Sequence, residues 1–224
     1  MKAAIYHFTD GKGRRPSICQ GDLCALSAYA HQLGYTEADV YCDTTSRKTG
    51  RTEFDRLLEH TDDYDALVVK DFYHISRHTE VCVKILKQLH SQGVKIYSTA
   101  NGAFSIIAPP VDKPLKIATY TCGFGTSQAP EQAVSLRAEI FKTFTADKTR
   151  WKITAQYADI SRHQNDGEQL QLQDLIRNRR QYDLLLVMSF GELHWRTANC
   201  LKIRKQLGLG IYSLQDGYIP YGRT

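Results

Sequence analysis

Residues 64–98 read YDALVVKDFYHISRHTEVCVKILKQLHSQGVKIYS, and a similar sequence occurs a second time in the chain. Residues 182–213 read YDLLLVMSFGELHWRTANCLKIRKQLGLGIYS. At an offset of 118, twelve of the 26 positions from Tyr64 to Leu89 are identical in the two copies. Composition alone would give roughly two such matches. The 224 residues therefore contain an internal repeat, which predicts two domains of ordinary size.

The repeated stretch reads as a buried strand, a polar loop, an amphipathic helix and a second strand. One face of the predicted helix, at positions i, i+3, i+4 and i+7, carries Cys82, Ile85, Leu86 and Leu89. The first strand of the chain, KAAIY at 2–6, returns as KIATY at 116–120. Alternating strands and helices predict an α/β fold: two tandem domains, each a mostly parallel sheet with helices on both faces.

The domain boundaries follow from the repeat. We place a first domain at residues 1–102, a linker at 103–115 and a second domain at 116–224. The linker lacks a helical period and contains a Pro-Pro pair, which stiffens it. Its apolar segment Phe104–Ile107 has to be covered. We expect that segment in an interface between the domains or at the edge of the first sheet.

The first helix of each domain also shows an apolar pattern. One is predicted at about residues 20–33, and its apolar residues are Leu23, Leu26, Ala30 and Leu33. The other begins near Glu131, and its apolar residues are Leu136, Ile140, Phe141 and Phe144.

Charge and cysteine content limit the classes of function. A net charge of +5 with a pI near 8.8 permits contact with nucleic acid but does not argue for it. The six cysteines show neither a CxxC motif nor a zinc spacing, so we expect no metal and no cofactor. Neither a signal peptide nor an apolar run of 18 residues is present. These features predict a reduced, soluble, cytoplasmic protein without a membrane partner.

Four motifs in order resemble the catalytic domain of serine site-specific recombinases, the resolvase/invertase family. The family has a YxRxS signature where the first strand here ends in Tyr6, and it reads close to VVxxLDRLSRxT where residues 68–79 read VVKDFYHISRHT. Between them lie an SxxxQ-like opening at residues 17–20 and Tyr41-x-Asp43, followed by Arg51 and Phe54-x-x-Leu57-Leu58. The resemblance covers residues 2–102 and, more weakly, 116–217.

The resemblance implies a chemistry in which a serine attacks a DNA phosphate while several arginines neutralise it. In the first copy Phe8 stands at the position of the first arginine, and Asp10 stands at that of the nucleophile. Arg51 matches the arginine of the family's mobile loop. In the last motif, the Asp-Arg pair is replaced by Tyr73 and His74, and the Ser-Arg pair is matched by Ser76 and Arg77. Two arginines are kept, and the nucleophile is not.

The second copy departs further from the family. Cys122 and Phe124 stand at the arginine and serine positions, and Gln169 stands at that of Arg51. The two pairs of the last motif are replaced by Gly191, Glu192, His194 and Trp195. The family's long helix and its DNA-binding domain have no counterpart in the sequence.

Three hypotheses of function follow. In the first, the protein is a catalytically degenerate recombinase relative that serves as an accessory or regulatory module of DNA recombination or a mobile element. Its partner would be an intact recombinase or weakly and non-specifically bound DNA. In the second, it is an active resolvase whose nucleophile is Asp10 or is displaced to Ser17 or Ser127. In the third, a crevice lined by Arg51, His74 and Arg77 binds a small anionic ligand.

Two structural expectations accompany these hypotheses. Arg51 and Arg77 could be structural instead, bridging to Asp10 or Asp43. The short linker gives the domains a high effective concentration for each other. We therefore expect an intramolecular pseudo-dimer in which Trp195 is buried.

Overall fold

The computed structural model describes residues 1–9, 16–44, 51–105, 113–124, 130–161 and 169–219. Its contacts divide the chain into two compact units. The first unit comprises Met1–Arg77 and Lys84–Ser105, and the second comprises His78–Val83 and Ile106–Thr224. Asp10 and Ser127 lie outside the described residues, as do the side chains of Ser17 and Phe124. In the described part of the chain, no helix is long and apolar enough to cross a membrane.

The first unit is a five-stranded sheet flanked by helices. Its elements are β1 (Lys2–Thr9), α1 (Pro16–Gln32), β2 (Glu37–Thr44), α2 (Thr52–Glu59), β3 (Ala66–Val69), most of α3 (Thr79–Ser91), β4 (Lys95–Ser98) and β5 (Gly102–Phe104). The first turn of α3, up to Val83, belongs to the second unit. The sheet order is β2-β1-β3-β4-β5, and all neighbours are parallel except β4 and β5. Strand β5 adds Phe104 to the edge of this sheet, one of the two places expected for it; Ile106 and Ile107 lie outside the described residues.

The second unit repeats this arrangement. Its elements are β6 (Leu115–Phe124), α4 (Pro130–Ala146), β7 (Trp151–Ser161), α5 (Leu170–Asn178), β8 (Leu184–Val187), α6 (Thr197–Leu207), β9 (Gly210–Ser213) and β10 (Gly217–Ile219). The strand order β7-β6-β8-β9-β10 is that of the first sheet, with the last pair again antiparallel. The predicted α/β class with two mostly parallel sheets is confirmed.

Apolar residues on both faces of each sheet form the cores. Leu26 and Ala30 of α1 pack on Ala3, Ile5 and Val68 in the first unit, as their helical spacing predicts. The prediction for α4 is partly wrong. Phe141 is buried, but Leu136 is 64% and Ile140 is 36% exposed. A helix on a sheet buries a stripe only, and on α4 that stripe runs through Phe141 and Thr145.

The Tyr-x-Asp motif has a structural role that recurs in both units. In the first, the buried carboxylate of Asp43 accepts hydrogen bonds from the Tyr6 hydroxyl (3.2 Å) and the Phe54 amide (2.9 Å). In the second, Asp159 accepts from the Tyr120 hydroxyl and the Leu172 amide, both at 3.0 Å. Each carboxylate thus binds the amino end of the following helix, α2 or α5, where unpaired amides favour negative charge.

Candidate functional site

The predicted site residues of the first unit gather at the carboxyl ends of β1 and β3, around the ring of Phe8. The guanidinium carbon of Arg51 lies 4.7 Å from the centre of that ring, and that of Arg77 lies 5.6 Å from it. His74 meets the same ring edge-on, with the ring centres 6.5 Å apart. The residue at the position of the family's first arginine is therefore an aromatic platform for the two arginines that the chain keeps.

Arg51 also has a backbone partner. Its Nη1 donates to the carbonyl oxygen of Ile75, just after β3. In the second unit, Gln169 takes the same place and donates through Nε2 to the carbonyl oxygen of Leu193 at 3.2 Å. Since a neutral amide makes the equivalent contact there, this contact does not need a positive charge.

His74 is buried, with 4% of its surface exposed. Burial lowers its pKa to about 4, and the nearby positive charges of His7, Lys70 and Arg51 act in the same direction against the opposing effect of Asp22. His74 is therefore neutral at pH 7 and adds no cation to the site. Its Nδ1 has no hydrogen-bond partner within the described residues.

The other predicted site residues differ in solvent exposure and in hydrogen-bond partners. Ser76 is buried and Arg77 is exposed. The carboxylate of Asp43 is occupied by Tyr6 and the amides at the start of α2. The guanidinium of Arg51 contacts the carbonyl oxygen of Ile75 and the ring of Phe8 rather than Asp43, which was one of the two bridging partners considered for it.

An ion pair that the sequence did not reveal lies beside this cluster. Lys70 Nζ lies 2.7 and 2.8 Å from the two carboxylate oxygens of Asp22, so α1 is tied to the end of β3. The buried His7 places Nε2 at 3.7 Å from the same carboxylate. The spacing of Asp22 and Lys70 in sequence carries no signal of the pair, because they are 48 residues apart.

The second unit has a different ion pair at the corresponding place. Arg137 of α4 lies 2.7 Å from Oε1 of Glu192, and the same Nη1 donates to the hydroxyl of Thr121 and the carbonyl of Cys122. Glu192 is 5% exposed, and its Oε2 accepts the Met188 amide at 3.2 Å. Burial raises the pKa of Glu192 to about 7, and Arg137 partly offsets that rise.

The helix members of the two pairs, Asp22 and Arg137, are equivalent in position and opposite in charge. Their partners are not equivalent: Lys70 aligns with Met188, and Glu192 aligns with His74. Asp22 and Arg137 each lie four residues before a buried helix residue, Leu26 or Phe141. The helix thus supplies the acid in the first unit and the base in the second. Glu192 stands at an arginine position of the family motif, so the charge there is reversed.

A cavity of about 360 Å³ opens beside the Arg137–Glu192 pair, at the carboxyl ends of β6 and β8. Trp195 forms part of its wall and is partly exposed, so the expectation that this ring is buried is wrong. Its ring contacts His78 and His194, with centres 5.4 and 6.2 Å apart. Nothing in the sequence pattern indicated this cavity, because its walls come from five separate segments of the second unit.

The described part of the chain contains neither a metal-binding cluster nor a disulfide. No group of three or more His, Cys, Asp or Glu side chains there is placed to hold a metal ion. The described cysteines form no disulfide: Cys24 and Cys42 are exposed, and Cys82, Cys122 and Cys200 are buried.

One part of the chain matches the model of a known protein family. Residues 19–113 match the model of the resolvase N-terminal domain. This resolvase-like segment is less than half of the chain. It contains Arg51, His74, Ser76 and Arg77 and begins after Phe8. A search of curated proteins finds no match.

Several solved structures are similar at low identity. The N-terminal catalytic domain of the TP901-1 integrase matches at 14% identity and a TM-score of 0.39, over 65% of this chain and 98% of that one. A resolvase family site-specific recombinase from Streptococcus pneumoniae matches at 18% identity and a TM-score of 0.39, over 66% of this chain and 93% of that one. The C-terminal catalytic domain of ISC1926 TnpA, an IS607-like serine recombinase, matches at 17% identity and a TM-score of 0.39, over 66% of this chain and 85% of that one.

Proposed function

We propose that the protein is a catalytically degenerate relative of the serine recombinases that acts as an accessory or regulatory module in DNA recombination. The observation that carries this proposal is the Phe8 ring, which receives Arg51 and Arg77 where the family resemblance places a third arginine. A phosphate site needs several cations directed at one anion. Here both guanidinium groups lie against an apolar ring instead.

The position of the family's Asp-Arg pair supports the same conclusion in both units. Its arginine is replaced by the neutral His74 in the first unit and by the buried Glu192 in the second. Two like charges 4 Å apart repel by about 1 kcal/mol in water and by about 4 kcal/mol near a protein surface. An ionised Glu192 would therefore oppose a DNA phosphate in the second unit.

The anion-binding alternative at Arg51, His74 and Arg77 has less support. His74 is uncharged at pH 7 and Arg51 is held by a carbonyl oxygen and by the Phe8 ring. Neither His74 nor Arg51 therefore adds an unengaged positive charge for a ligand.

Domain organisation forms part of the proposal. We infer that residues 1–102 and 116–224 arose by tandem duplication of one resolvase-like domain joined by the linker 103–115, and that they form an intramolecular pseudo-dimer. The shared strand order and the two Tyr-x-Asp motifs support the duplication. Serine recombinases work as assemblies of such domains, so an intact recombinase is the partner that this fold suits.

We expect no covalent protein–DNA adduct when the full chain is incubated with supercoiled plasmid and quenched with detergent. The reason is that Asp10 and Phe124 occupy the nucleophile positions. The measurement is a gel assay for nicked or cut plasmid, with and without protease, beside an active serine recombinase as positive control.

A protease-sensitive adduct would contradict the degenerate assignment. Ser17→Ala and Ser127→Ala variants then locate the attacking group. Loss of the adduct in either variant would establish an active recombinase with a displaced nucleophile.

Contact with DNA should be weak and without sequence preference. With a net charge of +5, we expect dissociation constants of about 1 to 100 μM at physiological salt, increasing steeply with salt as counterion release requires. Fluorescence anisotropy with labelled duplexes at several salt concentrations measures this. The Arg51→Gln variant, which copies the second unit, should bind equally well. Nanomolar binding to one sequence, or its loss in that variant, would contradict the expectation.

A further inference from the structure

The cavity beside Arg137 and Glu192 has the features of a small-molecule site. Its volume of about 360 Å³ falls in the range of roughly 300 to 1,000 Å³ found for ligand pockets. It lies at the carboxyl ends of parallel strands, where open α/β sheets bind their ligands. All of its lining residues belong to the second unit.

Arg137 provides hydrogen-bond donors on one wall. Its Nη1 serves three acceptors of the protein, namely Glu192, Thr121 and the carbonyl of Cys122. Within the described residues, no hydrogen bond or ion pair forms at its Nε or Nη2. The side chain is 31% exposed, so these two nitrogens can serve a ligand in a fixed, side-by-side geometry.

The wall formed by Glu80 and Ser189 provides acceptors. Glu80 is exposed, and its carboxylate makes no hydrogen bond or ion pair within the described residues. It packs so closely on Gly191 that a Cβ there would lie 2.9 Å from its Cγ and its Oε1. The hydroxyl of Ser189 likewise has no partner in the described part of the chain, and it can both donate and accept.

Trp195 adds a flat apolar face to these polar groups. Its backbone carbonyl accepts the Thr79 amide at 2.8 Å, which fixes the residue at the cavity edge. The guanidinium of Arg196 lies 4.6 Å from the ring centre, and the ring of His194 stacks at 25°. The indole is thus held in place before any ligand arrives.

The charge of the walls selects the ligand class. Arg137 pairs with Glu192, which is partly ionised near pH 7, and Glu80 adds a negative charge to another wall. The carboxylate of Glu80 opposes an anionic ligand, such as a phosphorylated one, whereas a neutral molecule meets no such repulsion. Hydroxyl groups both donate and accept, so a ring of hydroxyls can meet Arg137, Glu80 and Ser189 while its C–H face lies on Trp195.

We propose that this cavity binds a small neutral polyhydroxylated ring, of the monosaccharide or cyclitol class. The site is independent of DNA chemistry, and it remains if the protein proves to be an active recombinase. A recombinase-like module would then respond to a soluble metabolite through its second unit.

Isothermal titration of the full chain tests this with D-glucose, D-galactose, D-ribose and myo-inositol as probes. At least one should bind with saturable 1:1 stoichiometry, and D-glucose 6-phosphate should bind more weakly than D-glucose. Glu80→Gln should weaken the binding about tenfold, because a hydrogen bond to a charged group is lost. Trp195→Ala should weaken it by a similar factor, since it removes the stacking face.

Glu139→Gln is the matched control, because Glu139 is an exposed glutamate on α4 that does not line the cavity, and it should leave the affinity unchanged. Circular dichroism verifies that each variant is folded. Failure of all four probes to bind would overturn the proposal. Tighter binding of the phosphorylated sugar, or of L-glutamine as a zwitterionic probe, would also overturn it. Binding that Glu80→Gln and Trp195→Ala both leave intact would place the ligand elsewhere and exclude this cavity.

Discussion

Replacing Asp159 with alanine lowers the free energy of unfolding of the second unit by about 3 to 5 kcal/mol, because it breaks a buried hydrogen-bond network. The carboxylate is 8% exposed and accepts from the Tyr120 hydroxyl and from the amides of Gln171 and Leu172. Alanine leaves these donors buried without a partner and removes the negative charge from the amino end of α5.

Urea unfolding followed by tryptophan fluorescence measures this change. Both tryptophans, Trp151 and Trp195, lie in the second unit, so the signal reports that unit. Asp159→Asn should lower the free energy of unfolding by less, since the oxygen of its side-chain amide can still accept a hydrogen bond from one backbone amide. Asp174→Ala, an exposed i,i+3 partner of Arg177 on α5, should change the free energy by about 0.5 kcal/mol or less. A loss for Asp159→Ala as small as that of Asp174→Ala would show that the network contributes little.

Acid destabilises the first unit through His74, and the effect should amount to about 3 kcal/mol between pH 6.5 and 4. The folded pKa of His74, about 4, lies below its ordinary value of 6.5. Between these values the unfolded chain binds the proton more readily than the folded chain. The stability that the neutral, buried ring contributes is therefore complete above pH 6.5 and is lost as the pH falls to 4.

Glu192 should act in the opposite direction in the second unit. Its folded pKa, about 7, lies above its ordinary value of 4.5. The folded state therefore holds the proton more tightly, and stability falls by about 3 kcal/mol as the pH rises from 4.5 to 7. His74 and Glu192 occupy equivalent positions of the repeat. Because burial shifts their pKa values in opposite directions, the stabilities of the two units respond oppositely to pH.

The measurement is the free energy of unfolding at several pH values from 4 to 7.5, for the native chain and for His74→Leu and Glu192→Gln. Far-UV circular dichroism follows both units, and tryptophan fluorescence follows the second. Each substitution should remove its own pH dependence and leave the other. His31→Gln, on the exposed end of α1, should retain both. Unchanged pH profiles in His74→Leu and Glu192→Gln would show that neither group titrates as its burial requires.

Sequence alone was sufficient for the architecture. The repeat and its apolar spacing predicted two α/β units with mostly parallel sheets, because short-range periodicity decides which residues face a core. It also picked out Tyr41-x-Asp43. The resemblance supplied a catalytic context for that motif, whereas the structure gives Asp43 and Asp159 a structural role at the start of α2 and α5.

Tertiary structure alone decided the polar sites. Asp22 meets Lys70, and Arg137 meets Glu192, across 48 and 55 residues, and no local pattern encodes such pairs. The stacking of Arg51 on Phe8 depends on how β1 and the start of α2 converge. On α4, the sequence offers four apolar residues on adjoining faces, and only the sheet beneath selects Phe141 over Leu136. Periodicity specifies a face, whereas partners across that face are fixed by three-dimensional packing.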